Sequence, residues 1–304
     1  MQRRHLLLAP ALGLPARAKL RVLIIDGMNN HDWVAGTRAL RQILTSSGRF
    51  TVDVSTTPAQ AGDAAWAQWR PKFAGYDAVV NNFNGGHLAT GVRWPEEVEQ
   101  DLDAYVTRGG GLVVFHAANN AFLSWARYNE MIGLGWRDPD FGPGLIIADA
   151  SERPVEVPPG TGPRPGHGPR HDFAITTRDP RHAITKGMPK QWLHPAEQLT
   201  HGQHGPPGMA RQLTVLTYAW SKDSLRREPM DWVRRWGRGR IYVTMLGHTW
   251  RNERNPNLQC RAFGALLARG TEWSATGGVT LGLPSVLPTR ESIALDERVS
   301  AEPA

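Results

Sequence analysis

The first 116 residues alternate between apolar runs typical of buried strands and segments with apolar positions at helical spacing. Strands are predicted at residues 19–26, 50–54, 76–82 and 112–116. Helices are predicted between them, at residues 34–47 and from residue 94 to about residue 108. The second helix begins Pro95-Glu96-Glu97, and proline and acidic residues both favour the first turn of a helix. This alternation predicts a parallel sheet with helices on both faces.

The second half of the chain is less regular. Further strands are predicted at residues 145–148, 173–177, 213–220, 230–236 and 240–246, with a closing helix at residues 258–268. Residues 154–169 are rich in proline and glycine and predict a long loop, and loops of that length are usually functional or mobile. One α/β domain with long inserted loops is the simplest interpretation.

Composition excludes several classes of protein. The chain has 304 residues, of which 40% are hydrophobic and 21% are charged, as in a globular domain with a sizeable core. Cys260 is the only cysteine, so a disulfide scaffold, a cysteine-rich zinc site and an iron–sulfur cluster are excluded. Cys260 lies inside a predicted helix and no Gly-x-Ser-x-Gly elbow occurs, which argues against a serine or cysteine hydrolase.

The N-terminus has the pattern of a bacterial signal peptide. Residues 1–18 combine a charged start, a short apolar run and an Ala-x-Ala end, and Arg3-Arg4 is compatible with a twin-arginine signal. We therefore expect a periplasmic or secreted protein without stable membrane insertion after cleavage. Cleavage removes three arginines and no acid, so the net charge falls from +7 to +4. Nucleic acid is therefore not an expected partner, although polyanion binding at a basic surface remains a third, weaker hypothesis.

Histidines follow the predicted strands. His31, His87 and His248 each come shortly after a predicted strand, and His116 ends one. The carboxyl ends of parallel strands meet at one edge of a sheet. Neutral imidazoles that converge there suit a divalent metal, and three of them with a carboxylate would suit zinc. They also suit general acid–base chemistry, because histidine titrates near neutral pH.

Aromatic composition adds a second hint. The chain has 12 Trp against 5 Tyr and 8 Phe, which fits a protein that stacks flat sugar rings. Core filling is the alternative interpretation for each tryptophan, since buried aromatic residues dominate core energetics.

Several segments resemble the ThuA-like (trehalose-utilisation) family, whose fold is that of class I glutamine amidotransferases. The matching segments are residues 76–80, 109–118, 128–133, 179–189 and 237–248, and the resemblance covers roughly residues 19–284. It implies a flavodoxin-like, class I glutamine amidotransferase-like three-layer sandwich with a mostly parallel sheet. Together with the signal-peptide pattern, it divides the chain into a signal peptide at residues 1–18, the ThuA-like domain at residues 19–284 and a C-terminal tail at residues 285–304.

Two departures from the family pattern matter. Amidotransferases carry a cysteine nucleophile after the strand that is predicted to end at His116, where this chain has Ala117 and Ala118, so glutamine hydrolysis is not expected. The family often has Asp-Glu-x-Tyr where this chain has Ala196-Glu197-Gln198-Leu199. The glutamate is kept, but the acid before it is missing.

The resemblance implies a role in sugar catabolism, around disaccharides such as trehalose and their 3-keto forms. His31, His116, Glu197 and His248 would carry catalysis, and the three histidines would bind a divalent metal such as zinc. A small carbohydrate is the expected partner, and its contacts would come from Trp33, His87, Trp125 and Trp250. A metal-assisted hydrolase or lyase is the leading hypothesis, and a non-catalytic sugar-binding or accessory module is the second. A homo-oligomer is compatible with the sequence.

Overall fold

A nine-stranded mixed sheet forms the centre of the molecule. The computed structural model describes residues 18–86, 91–149 and 151–304. The strands of this sheet are β1 (Leu20–Asp26), β2 (Phe50–Thr56), β3 (Ala78–Asn81), β4 (Gly111–Phe115), β8 (His171–Thr177), β9 (Gln191–Glu197), β11 (Thr214–Ser221), β12 (Arg226–Trp236) and β13 (Gly239–Thr244). Two small sheets pair β5 (Gly144–Ile147) with β6 (Pro154–Val157) and β7 (Gly166–His167) with β10 (Thr200–His201).

One half of the sheet is parallel. The strand order is β2-β1-β3-β4-β13-β12-β11-β8-β9, and the four pairings from β2 to β13 are parallel. β3 and β4 are buried along their whole length, which explains their continuous apolar sequences. The carboxyl ends of β1, β3, β4 and β13 therefore lie at one edge.

The other half of the sheet is antiparallel, so the sheet is mixed rather than mostly parallel. The pairings from β13 through β12, β11 and β8 to β9 all run antiparallel. The sequence pattern did not predict β9, because it contains Pro195, which cannot donate to a strand ladder. Proline is tolerated there because β9 is the last strand of the sheet.

Helices cover both faces of the sheet, which confirms the α/β three-layer fold. The helices are α1 (Trp33–Ser46), α2 (Glu96–Thr107), α3 (Ala126–Ile132) and α4 (Arg261–Thr276). Successive strand residues point to opposite faces, and a Cβ on Gly110 would meet Tyr105 of α2, whereas one on Gly111 would meet Ser274 of α4. Thus α2 and α4 lie on opposite sides, and α1 packs beside α4.

Two segments predicted to lack secondary structure are more ordered than expected: one contains short strands, and the other is hydrogen-bonded to the domain. Residues 154–169 were predicted as a loop, but they contain β6 and β7. Residues 285–304 form neither helix nor strand, yet they pack against the domain. The Leu193 amide donates to the Thr289 carbonyl (2.8 Å), and the Asn255 amide donates to the Ala301 carbonyl (2.6 Å).

Some predictions fall on other parts of the chain. Seventeen residues of the predicted signal peptide (residues 1–17) and His87 lie outside the described residues. No helix in the described part combines the length and the apolar character that a membrane crossing requires.

Candidate metal centre and ligand pocket

Three histidines meet at the carboxyl edge of the parallel half. His31 follows β1, His116 follows β4 and His248 follows β13. One ring nitrogen from each can be chosen so that all three atoms lie within 4.8 Å of one another. The ring centroids are 5.0 Å apart for His31 and His116, 4.3 Å for His31 and His248, and 4.9 Å for His116 and His248. Sequence positions far apart are thus brought to one place by the strand order.

His116 opens a 3₁₀ helix (His116–Asn120) directly after β4. Its φ of +42° lies in the left-handed region, which costs a non-glycine residue about 1–2 kcal/mol. Its Nδ1 lies 2.6 Å from the Met245 carbonyl oxygen, which can only accept, so Nδ1 carries the proton and donates. The neutral ring therefore keeps its lone pair on Nε2. Burial lowers the pKa of His116, which favours this neutral form.

His31 is oriented in a similar way by Asn29. The Asn29 Nδ2 donates to the Asn82 carbonyl at 3.0 Å, which fixes the orientation of the amide. The Asn29 Oδ1 then accepts from the His31 backbone amide at 2.9 Å and faces its Nδ1 at 3.1 Å. Nδ1 is again the donor, so the lone pair of neutral His31 is on Nε2. Such outer hydrogen bonds orient metal-binding histidines and raise their basicity.

His248 is held through its backbone. Its amide donates to Glu197 Oε2 at 3.3 Å, and its carbonyl accepts from Asn257 Nδ2 at 2.8 Å. Gly247 precedes it with φ +108°, and a Cβ there would lie 2.2 Å from the Phe115 ring, so only glycine fits. Burial, together with the neighbouring histidines, strongly lowers the pKa of His248 and keeps it neutral.

Glu197 lies behind the His248 loop and does not line the pocket, so the structure does not place it as a metal ligand or a base. It is 0% exposed. Its Oε2 accepts from the Gly247 amide (2.7 Å) and from Asn257 Nδ2 (2.9 Å), in addition to the His248 amide. These contacts give Glu197 a positioning role. Asn257 shares that role, and no motif in the sequence marks it.

A buried ion pair backs this arrangement. His194 Nε2 lies 3.4 Å from Glu197 Oε2, and both side chains are fully buried. Burial alone would raise the pKa of Glu197, but the hydrogen bond and charge of His194 hold it below its usual value. Burial alone would lower the pKa of His194, but the adjacent Cys260 and Glu197 raise it to about 9. The pair is therefore charged at neutral pH and has no net charge.

A cavity of about 460 Å³ opens in front of the three histidines. Its wall includes His167 and Trp136, whose rings are 5.8 Å apart, and the His167 ring lies 5.7 Å from that of His248. Neither residue was predicted. His167 lies in the proline- and glycine-rich segment whose length signalled function, and the pairing of β7 with β10 brings it here. Polar side chains complete much of the wall, and they are Asn30, Asn119, Asn120, Gln198, Thr200, Thr249 and Arg251.

The predicted sugar-stacking tryptophans have different environments. Trp125 is buried and packs against Phe122 and Tyr128, so it belongs to the core. Trp33 begins α1 and does not line the cavity. Trp250 does line it.

The Trp250 ring already has two partners, which changes its predicted role. The His248 ring stacks on it at 4.1 Å, and the Arg170 guanidinium lies over it at 4.3 Å. A sugar would compete with both partners for the ring faces. Trp250 is therefore better placed to support His248.

The donor set fits a divalent metal. Neutral imidazole is a common ligand of zinc, and three such ligands leave a fourth position for water or substrate. The Nδ1 of His248 is buried and has no hydrogen-bond partner among the described residues, and a buried polar atom of this kind is costly unless a ligand satisfies it.

The fold and this pocket define an α/β three-layer protein with a histidine-rich site at the carboxyl edge of its parallel strands. The chain belongs to the ThuA family, described as trehalose utilisation, whose model matches residues 21–274. This confirms the family that the motifs indicated.

Solved structures agree with this assignment. A ThuA-like protein from Parabacteroides merdae is 34% identical, with a TM-score of 0.84, and the alignment covers 93% of this chain and 99% of that one. A ThuA-like protein from Bacteroides uniformis is 14% identical, with a TM-score of 0.56 over 90% of this chain and 99% of that one, and it shows the fold alone. No curated protein matches the chain.

Proposed function

We propose that this protein is an exported, metal-assisted enzyme of carbohydrate catabolism that acts on a glycoside or a 3-keto-sugar. Its family is described as trehalose utilisation, which supports a carbohydrate-related role. The observation that carries the metal-assisted step is the approach of ring nitrogens from His31, His116 and His248 to within 4.8 Å. Export rests on the signal-peptide pattern of residues 1–18.

His31, His116 and His248 would hold the metal. A divalent ion such as zinc would polarise a carbonyl oxygen or lower the pKa of a bound water. The protein supplies preorganisation: Asn29 and the Met245 carbonyl set the tautomers of His31 and His116, and Glu197 anchors the backbone of His248. The lowered pKa values of His116 and His248 keep those rings available as neutral ligands.

The pocket also offers a candidate for proton transfer. His167 is exposed on β7 and lies beside His248, at the mouth of the cavity. In a 3-keto-glycoside the carbonyl acidifies the neighbouring C2–H. A base would take that proton while a double bond forms between C1 and C2 and the bond from C1 to the glycosidic oxygen breaks, and the departing alcohol would take a proton from water. We infer that His167 would act as that base without being a metal ligand, which its position beside His248 supports.

A second candidate is a non-catalytic sugar-binding module. The position after β4 that carries a nucleophilic cysteine in amidotransferases is occupied here by Ala117 and Ala118, both buried. Loss of that nucleophile is compatible with a scaffold that only binds. Incubation of 3-keto-trehalose with the protein separates the two, because an enzyme would release glucose whereas a binding module would return the compound unchanged.

Metal analysis tests the centre directly. The protein, expressed with zinc and dialysed, should contain about one equivalent of zinc, and His116→Ala should lose most of it because a three-histidine site then keeps two ligands. His182→Ala is the matched control. His182 packs against Trp273, at the end of α4 that contacts the start of β13 through Arg240, on the opposite edge of the sheet. Equal zinc content in both variants would contradict the proposed centre.

A further inference from the structure

The charge of the pocket wall is one-sided. Among the described residues that line the cavity there are four histidines and Arg251, but no aspartate or glutamate. The remaining segments cannot supply the missing charge, because residues 1–17, 87–90 and 150 contain no acidic residue. A divalent ion on three neutral imidazoles would therefore keep its full charge in the pocket. Buried charge is costly unless it is compensated.

The carboxylate of Glu197 does not provide that compensation. It lies behind the His248 loop, where it accepts from main-chain amides and Asn257, and it is already paired with His194 at 3.4 Å. Its lone pairs face these donors rather than the cavity. Since no carboxylate lines the wall, the counter-charge would come from hydroxide on the metal or from an anionic ligand in the pocket.

Arg251 adds a second cationic group at the wall. Its Nη2 donates to the carbonyl oxygens of Asn29 (3.0 Å) and His31 (3.1 Å), which holds the guanidinium beside the His31 loop. Within the described part of the chain, those bonds use only one of its three nitrogens. The others are available to a carboxylate, for which the planar guanidinium is the best-matched donor in proteins.

Asn119 borders the same cavity and has a buried acceptor without a hydrogen-bond partner among the described residues. Its Nδ2 donates to Gln203 Oε1 at 2.6 Å, which directs Oδ1 away from that partner. Asn119 is 0% exposed, and its Oδ1 has no hydrogen-bond partner among the described residues. In a 3₁₀ helix, side chains three residues apart lie on one face, so Asn119 is on the same side as His116. A hydroxyl group of a ligand would satisfy this acceptor.

We propose that the ligand of this pocket is a polyhydroxylated carboxylate, that is, a sugar acid or a glycoside that contains one. Its carboxylate would face Arg251 and the three histidines of the candidate metal centre, and one of its hydroxyl groups would donate to Asn119 Oδ1. The inference rests on the proposed function, since it specifies the substrate class of the same site. A neutral sugar, including the 3-keto-trehalose of the turnover assay, would leave the cationic wall uncompensated and should therefore bind more weakly than a sugar acid.

Two probes that differ in charge test this inference. D-glucuronate and D-glucuronamide share one carbon skeleton, but only the first carries a carboxylate. Calorimetry at constant ionic strength would measure both against zinc-loaded and chelator-treated protein. We expect zinc-loaded protein to bind glucuronate at least about tenfold more tightly than the amide, as a charge-assisted contact allows. Acetate should bind much more weakly than glucuronate, because it has no hydroxyl group for Asn119.

Two variants locate the effect. Arg251→Gln removes a cation from an exposed side chain and should reduce the preference for glucuronate several-fold. Asn119→Asp keeps the size and the acceptor but adds the missing negative charge, and it should bring the two affinities close together. If Asn119→Asp does not fold, the preference of Arg251→Gln for glucuronate over glucuronamide is a sufficient test by itself.

The outcomes separate this inference from the metal centre. Zinc content is measured first, so failure to bind zinc rejects the metal centre alone. The charge preference is then tested with chelator-treated protein, in which Arg251 is the remaining cation of the described wall. Undetectable binding of glucuronate, equal affinity for the amide, or equal affinity for acetate overturns the inference.

Discussion

Replacement of Glu197 by glutamine tests the link between the buried ion pair and the histidine cluster. The carboxylate accepts four hydrogen bonds at Oε2, from Gly247, His248, Asn257 and His194, and one at Oε1 from the Gln198 amide (3.1 Å). A glutamine oxygen can replace Oε2, but its NH₂ group would then face the Gln198 amide as a second donor.

Loss of charge is the larger effect. An unsatisfied buried donor costs about 1–3 kcal/mol, whereas removal of one partner from a buried ion pair costs about 3–5 kcal/mol. Both effects act here, but deprotonation of His194 limits their sum, so we expect Glu197→Gln to lose about 3–5 kcal/mol of unfolding free energy in urea at pH 7. Zinc affinity should fall by about 10–100-fold, because the His248 loop loses its anchor.

Glu272→Gln is the matched control. Glu272 is also buried and accepts hydrogen bonds from Arg49 Nε (2.9 Å) and the Thr280 amide (2.7 Å), but it lies on α4 away from the pocket. The Glu272→Gln variant should be less stable than the natural protein, but its zinc affinity, measured by competition with a chelator, should stay unchanged. A loss of less than about 1 kcal/mol in Glu197→Gln, the usual effect of a surface pair, or an equal loss of zinc affinity in both variants would contradict a link between the ion pair and the histidines.

Three further predictions follow from the same contacts. The pKa of His194 is raised to about 9 from an ordinary value of 6.5, so its stabilisation is complete below pH 6.5 and is lost as the pH rises through 9. Urea titrations should show a loss of up to about 3 kcal/mol across this range, and the loss should be absent in His194→Gln. Gly247→Ala should destabilise by more than about 2 kcal/mol because of its left-handed φ and the contact with Phe115, whereas Gly264→Ala in α4 should gain about 0.5–1 kcal/mol, as thermal unfolding would show. Asn29→Leu removes the acceptor of His31 Nδ1 and should lower zinc affinity about tenfold or more, but unchanged affinity would show that Asn29 does not orient the ligand.

The parallel half of the fold and the three histidines of the candidate metal centre were predictable from the sequence for a single physical reason. Strands buried on both faces have continuous apolar sequences, so the end of each apolar run marks the end of a strand. The residues that follow parallel strands lie at the same edge of the sheet. His31, His116 and His248 are such residues, and the structure brings them together. Their role in metal binding stays a prediction.

The rest of the site depends on contacts that no local pattern encodes. Glu197 was identified, but its direction is set by donors from Gly247, His248 and Asn257, which are 50 to 60 positions away along the chain. His167 belongs to a two-residue strand, which is too short to show a period. Such features follow from tertiary packing, so only the three-dimensional structure reveals them.

The geometry at the end of β4 connects two of the three histidines. His116 occupies the first position after β4 with φ +42°. A strained residue persists only where its surroundings hold it, and strain of this kind clusters at functional sites. Met245 lies on the segment that continues to His248, and its carbonyl oxygen accepts from His116 Nδ1 at 2.6 Å. The strained turn therefore directs the His116 imidazole, and the same contact couples two of the three histidines, so a disturbance at either loop should affect both.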